Sequence, residues 1–485
     1  MTLLTRYMAA VPEGKRTSSA IAYLAGLDHI GERHPLIAKK ILDELRDQRR
    51  SLKLIASENY SSLATQLAMG NLLTDKYCEG HPFHRFYAGC ENVDEIEQEA
   101  VSTLKDVFGC DHAYVQPHSG ADANLVAFWS VLVHKIQSVE MEKLGTKKLN
   151  DLTPEQYERI RELLVSQKVL GMSLNSGGHL THGYRMNISA KMMRAETYDV
   201  DVNSHLIDYA AIEKQALAFK PLILIAGYSA YSRKVNFARM RDIADKCGAV
   251  LMVDMAHFAG LVAGKVFTGE YNPIPYADIV TSTTHKTLRG PRGGMILCKS
   301  EYADVVNKGC PLVLGGPLPH VMAAKAVAFR EAARPEFGVY AHQIVANART
   351  LAEDLVSKGV SIVTGGTDNH LLVIDCAKSF GLNGRICEQV LREMGLTANR
   401  NTVPFDPNGA WDTSGVRFGT PALTTRGFGP KEMKVVAELI VTTLRATRSD
   451  GIKGYTIDSA IADRVKKMRE DLLSGFPLYP EVVID

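Results

Sequence analysis
The sequence predicts an α/β protein in which a mostly parallel sheet carries helices on both faces and a smaller α/β domain follows. Three observations predict it. Short apolar runs recur at Ala113 to Val115, Val169 to Met172, Leu222 to Ala226, Ala249 to Val253, Ile279 to Thr281 and Met295 to Cys298. Each is near-continuous in Val, Ile, Leu, Met or Ala, as strands buried on both faces require. Helical patterns separate them, among them Asp208 to Phe219 and Phe237 to Cys247, the latter closed by Gly248 as a C′ residue. A second helix–strand pattern then begins near Val321, with a domain boundary near Pro335, and strand–helix alternation of this kind builds layered sheets.

In chain order, the first 50 residues read as helical, an arm laid over a neighbour. Val133 to Gln167 is charged and reads as a helical excursion from the sheet, with Thr153-Pro154-Glu155-Gln156 as a capping box carrying proline at the first helical position. An alanine-rich helix, Val321 to Arg334, is stopped by Pro335. Beyond it come a helix (Tyr340 to Lys358), strands (Val360 to Val363 and His370 to Asp375), a helix (Gly384 to Met394) and a final helix (Pro430 to Arg445).

Composition narrows the class. At 485 residues the chain suits two or three domains, and 46% hydrophobic residues suffice for large cores. Lysine plus arginine total 56 against 54 acidic residues, so no basic excess points to nucleic acid or a membrane surface. No apolar run approaches the ~20 residues that span a bilayer. Met1 to Arg16 lacks the apolar core of a secretory signal. A cytoplasmic protein is the expectation. The eight cysteines form no C-x-x-C pair and no zinc-spaced cluster with histidine, so neither a metal site nor a disulfide framework is expected.

Four segments carry chemistry. Thr281 to Gly294 contains His285-Lys286 after an apolar run and ends in a glycine-rich turn. A lysine there could form a Schiff base once its ammonium pKa falls. Asp254 ends the Ala249 to Val253 run, at the sheet edge where open α/β sheets bind ligands, with His257 in the following turn. An acid so placed can keep a pyridine nitrogen protonated, or simply cap a turn. Gln116-Pro117-His118-Ser119-Gly120-Ala121 opens a helix, as an anion site or a plain cap would. Ser176-Gly177-Gly178-His179 sets an imidazole in a glycine-rich loop, where it can stack on a planar ligand or serve a tight turn.

Together these segments resemble the fold-type I pyridoxal-phosphate enzymes of the aspartate aminotransferase superfamily, and within them the serine hydroxymethyltransferase family. The likeness runs from Leu54-Ile55-Ala56-Ser57-Glu58-Asn59-Tyr60 to Ser414-Gly415-Val416-Arg417. Between lie Lys76-Tyr77-Cys78-Glu79-Gly80, Val115 to Gly120, Gly177 to Gly183, Tyr228 to Ser232, Val253 to His257, Thr283 to Thr287 and Asn401 to Pro404. The resemblance implies an N-terminal helical arm (1–50), a large pyridoxal-phosphate-binding domain with a mixed, mostly parallel sheet (51–334, with a helical insertion at about 133–167) and a small C-terminal domain (335–485).

It also implies roles. Lys286 would hold pyridoxal phosphate, with Asp254 on the ring nitrogen, His179 stacked on the ring, and His257 and Ser229 near the phenolic oxygen, beside His285. Ser119, Gly120 and Ala121 would hold the phosphate, with Tyr77 and Gly316 reaching over from a second subunit. Arg417 would grip the amino-acid carboxylate, helped by Ser57 and the partner's Tyr87, with Arg292 near the ring and Glu79 moving the proton. Phe86, Leu174, Gly178, His179, Leu180, Asn401 and Asn408, Gly409 and Ala410 would line the side taking tetrahydrofolate. The implied reaction interconverts serine and glycine in a homodimer or a larger tetramer. An alanine racemase, a threonine aldolase and a non-catalytic binding protein are the rival readings.

The chain departs from the family pattern at Phe86, where a tyrosine is usual, and at Ala121, which replaces a serine. Leu312-Val313-Leu314 stands where a glycine-rich loop is usual, and the Val133 to Gln167 insertion is long.

Overall fold
A computed structural model describes residues 1–484, the side chain of Ala410 excepted. At its centre is a seven-stranded mixed sheet. Its strands are β1 (His112–Tyr114), β2 (Lys168–Met172), β3 (Arg194–Tyr198), β4 (Ile223–Gly227), β5 (Val250–Asp254), β6 (Ile279–Thr283) and β7 (Gly294–Cys298), in the spatial order β1-β7-β6-β5-β4-β2-β3. Only β7 runs antiparallel to its neighbours. Strands β4 to β7 are buried throughout, which accounts for their unbroken apolar runs. Strand β3 was not foreseen. Its sequence, Arg194 to Tyr198, is polar because it closes the sheet as an edge with a mostly exposed or half-buried pattern.

The excursion is helical as expected, and Thr153 and Gln156 form the reciprocal capping box with Pro154 at the first turn. Pro335 ends one helix (Pro319–Ala332) and also starts the next (Pro335–Ser357), where its missing N–H costs nothing. A strand over Val360 to Val363 does not form. Val363–Gly365 is a short 3₁₀ turn with Thr364 at φ 66°, and only Ile362 bridges to Ile374. The helix Pro430–Ala446 is not the last, since Ser459–Ser474 forms another, capped by Asp458.

A three-stranded sheet beyond residue 370 joins β8 (Leu371–Asp375), β9 (Asn399–Asn401) and β10 (Gly415–Gly419). Its core includes Leu372, Ile374, Val416 and Phe418, and Leu52 and Leu54 from the front of the chain pack into it. The N-terminal helices pack on the chain's own C-terminal tail, where Arg49 donates to the carbonyls of Leu478, Tyr479 and Val482. No helix among the described residues is long and apolar enough to cross a membrane.

Candidate active site
The C-terminal ends of the parallel strands converge on one cavity of about 450 Å³. It is lined by Ser57, Ser119, Gly120, Ala121, His179, Ser229, Asp254, His257, His285, Lys286, Arg292 and Arg417, all foreseen from sequence, together with Glu58, Tyr228, Ala256 and Thr283. Ser119 caps the helix Gly120–Leu132, its Oγ accepting from the Asp122 N–H at 3.2 Å. The first amides of that helix therefore open on the cavity with the positive end of the dipole, a ready anion site.

Asp254 ends β5 in a closed set of hydrogen bonds. Its Oδ2 accepts from Asn124 Nδ2 (3.0 Å) and His182 Nε2 (3.1 Å), and its Oδ1 from the Ala256 N–H (3.0 Å). His182 Nδ1 accepts from the His179 N–H, so its hydrogen must lie on Nε2, aimed at the carboxylate. Burial opposes ionisation of Asp254, but the hydrogen bonds from His182 and Asn124 hold its pKa well below the usual range. Asn124 in turn donates to Thr181 Oγ1 and accepts from Thr281 Oγ1. The Thr181 hydroxyl is thus left to meet His179 Nδ1 at 2.8 Å, and the His179 ring is pinned. Gly171 permits the close approach, since a Cβ there would stand 2.5 Å from the His182 carbonyl.

His179, His182 and Asp254 lie close enough to hold a metal ion. Their hydrogen bonds already commit both His182 nitrogens, His179 Nδ1 and both Asp254 oxygens, so the geometry serves the carboxylate.

Cationic and basic groups share the cavity with Asp254. Burial lowers the Lys286 ammonium from its ordinary 10.5 to about 8; Asp254 pulls it back up, while Arg417 and Arg292 push it down. Burial lowers Arg417 to about 10, and among the described residues it has no carboxylate partner. Its Nη1 donates to the Ser229 carbonyl (2.5 Å) and its Nε to Asn399 (3.3 Å), which leaves Nη2 for an incoming anion. Burial likewise lowers His285 to about 3 and His179 to about 4, so both rings stay neutral.

Tyr77, Glu79, Tyr87 and Gly316 do not line their own chain's cavity. They cluster beside it: the Tyr77 hydroxyl donates to Glu79 (3.3 Å), Tyr77 and Tyr87 meet edge to face, and a Cβ at Gly316 would strike the Tyr77 ring. Tyr77, Phe86 and Tyr87 are 54%, 70% and 48% exposed and so face outward. Arg85 anchors their loop from within, donating to Asp94, Glu97 and the carbonyls of Cys78 and Gly80. Of the expected folate side, His179 alone lines this cavity. Asn401 lines a narrow cleft with Asn175, Ser176 and Gly177. Leu174 and Gly178 lie in the turn between β2 and His179, and Leu180 is exposed. Asn408 donates to Ser414 Oγ beside Gly409, and the Ala410 side chain lies outside the described residues.

Several functional-looking groups escaped the sequence reading. His182 stands three residues from His179 in the same glycine-rich loop, and that second histidine is a signal the sequence carries. Asn124, one turn into the Ser119 helix, and His370 gave none. Nor did Lys325, whose buried ammonium donates to the carbonyls of Val115 (2.5 Å), Pro117 (2.9 Å) and Gly294 (2.9 Å) and so ties together the strand ends that lead to Ser119 and away from Lys286.

A planar ligand with an anionic tail, a basic ring nitrogen and a carbonyl within reach of Lys286 would satisfy this donor set. Comparison with known proteins agrees with such a site. The family model described as serine hydroxymethyltransferase matches residues 30–146 and 156–440, leaving part of the helical excursion unmatched. A serine hydroxymethyltransferase of Chlamydia trachomatis serovar D is 55% identical over 493 aligned residues, covering 100% of this chain and 99% of its own. One from Chlamydia muridarum is 54% identical with the same coverage, and one from Treponema pallidum is 55% identical over 99% of this chain and 84% of its own.

Proposed function
The chain belongs to the serine hydroxymethyltransferase family, and on that premise we propose that the Lys286 cavity is its active site and pyridoxal phosphate its cofactor. The protein is a transferase that interconverts serine and glycine and passes the hydroxymethyl carbon to tetrahydrofolate. The observation that carries the placement is the convergence of Lys286, Asp254, Arg417 and the Ser119 helix start on one cavity.

The residues present fit the cofactor. A buried carboxylate kept ionised, a lysine near neutrality, capped helix amides and an unpartnered buried guanidinium match its ring nitrogen, aldehyde and phosphate and the substrate's carboxylate. When bound, pyridoxal phosphate supplies an electron sink for charge developing at the amino acid's α-carbon.

The chain's own groups do the rest. Lys286 would hold the cofactor covalently through its amine, which burial lowers to about 8 in the cofactor-free chain and so readies for bond formation. Asp254 keeps the ring nitrogen protonated, oriented by His182 and Asn124. His179 would stack on the ring, and Ser229, His257 and His285 line the same cavity. Ser119, Gly120 and Ala121 hold the phosphate, and loss of a serine hydroxyl at Ala121 leaves its N–H in place. Arg417 grips the substrate carboxylate with Ser57, and Arg292 sits exposed at the cavity's rim.

Tyr77, Glu79, Tyr87 and Gly316 complete the cavity of a second copy: none lines its own chain's cavity, and Tyr77, which bonds Glu79 and covers Gly316, is exposed together with Tyr87. The working unit is then a cytoplasmic homodimer, with a tetramer as the larger form. Phe86, Leu174, Gly178, Leu180, Asn401, Asn408, Gly409 and Ala410 form the folate side. The testing experiment follows glycine formation from serine with and without tetrahydrofolate. Turnover that rises with tetrahydrofolate is expected, and indifference to it would overturn the reading.

A further inference from the structure
We infer that His370 sets the tautomer of His257, so that the His257 ring presents an N–H donor, and not a bare nitrogen, to the cavity. His257 lines the cavity, and its Nδ1 lies 3.1 Å from His370 Nε2, the two rings inclined at 30°. One of these nitrogens must carry the shared hydrogen. The other nitrogen of His370, Nδ1, is buried and has no hydrogen-bond partner among the described residues. A buried N–H without an acceptor is rarer and costlier than an unused lone pair. His370 therefore carries its hydrogen on Nε2, where an acceptor waits, and donates to His257 Nδ1. The His257 hydrogen is then left on Nε2, the only ring nitrogen that remains for a cavity occupant.

Burial, aided by the Lys286 and Arg417 charges, pushes both rings well below their ordinary pKa, His370 to about 3, which excludes an imidazolium as the donor. His370 is also held in register. Asn369 Nδ2 donates to the Tyr228 hydroxyl (3.1 Å) and the Tyr231 carbonyl (3.0 Å), and the Thr420 N–H donates to the His370 carbonyl. His370 thus acts through His257, as the positioning partner of a ligand-facing imidazole does. The consequence for the cofactor rests on the function proposed above: an acceptor oxygen on its ring would meet a donor.

Nitrogen-15 NMR of the full-length protein labelled at histidine reads the tautomer directly, with His257 identified by its loss in His257→Asn. The wild type should show the His257 hydrogen on Nε2. His370→Gln, whose amide can still donate, should keep that pattern, and His370→Leu should lose it. A His257 hydrogen on Nδ1 in the wild type, or an unchanged pattern in His370→Leu, would overturn the inference. Should His370→Leu not fold, the wild-type spectrum and His370→Gln still decide. Titration with pyridoxal phosphate and with its 3-deoxy analogue separates this from the proposed function. His370→Leu should weaken the first several-fold more than the second, whereas a wild type that binds neither refutes the cofactor site alone.

Discussion

His182 Nε2 donates to Asp254 Oδ2 across 3.1 Å, with both side chains buried and the histidine held by the backbone N–H of His179. The bond keeps a buried carboxylate ionised where burial alone would neutralise it. It also ties the end of β5 to the loop that follows β2.

Replacing that donor tests the link. His182→Leu removes one hydrogen bond to a charged group, worth ~1.5–3 kcal/mol. Pyridoxal phosphate affinity, followed by absorbance titration, should fall ~10–100-fold. An unchanged affinity would show that Asn124 and the Ala256 N–H suffice.

Lys286 should react as a free amine at lower pH than surface lysines. Its ammonium is lowered to about 8, so in cofactor-free protein half of it is deprotonated there. Amine labelling quantified by peptide mapping should show a midpoint near pH 8 at Lys286. Asp254 favours the ammonium, so Asp254→Asn should move that midpoint lower still. A midpoint near 10.5, or an upward shift in Asp254→Asn, would contradict this electrostatic account. Borohydride reduction of the coloured enzyme should mark Lys286 as well.

Lys325 supports the loops without lining the cavity. Lys325→Met removes the ammonium donor from three buried carbonyls, of which Pro117's still accepts from the Gly294 N–H, and a buried carbonyl left unpaired costs ~1–3 kcal/mol. The urea midpoint of the cofactor-free protein should drop clearly. Stability equal to wild type would mean that the strand ends hold each other without the ammonium.

The proposed sharing of sites between two copies predicts complementation. Lys286→Ala and Glu79→Gln homodimers should both be inactive, yet mixed and re-equilibrated they should regain about a quarter of wild-type turnover, because half the dimers are mixed and each assembles one intact site. No recovery after confirmed subunit exchange would place Glu79 in its own chain's cavity.

What the sequence by itself determined is local. Unbroken apolar runs announced β4 to β7 because those strands are buried on both faces, and Lys286, Asp254 and Ser119 were legible because each follows an apolar run at a strand end or helix start, whereas Arg417, in the middle of β10, was legible only through the family resemblance. Tertiary structure decided the rest. Strand β3 hid behind polar residues because an edge needs no apolar run, and Val360 to Val363 looked like a strand but met a chain that turns at Thr364. His182 reaches Asp254 across 72 positions, His370 reaches His257 across 113, and Lys325 reaches Val115 across 210. Propensity and spacing describe how a residue sits on its own element. Which buried donor finds which distant acceptor depends on how the elements pack, because an unpaired polar group in the interior is costly and only the folded chain brings its partner within reach.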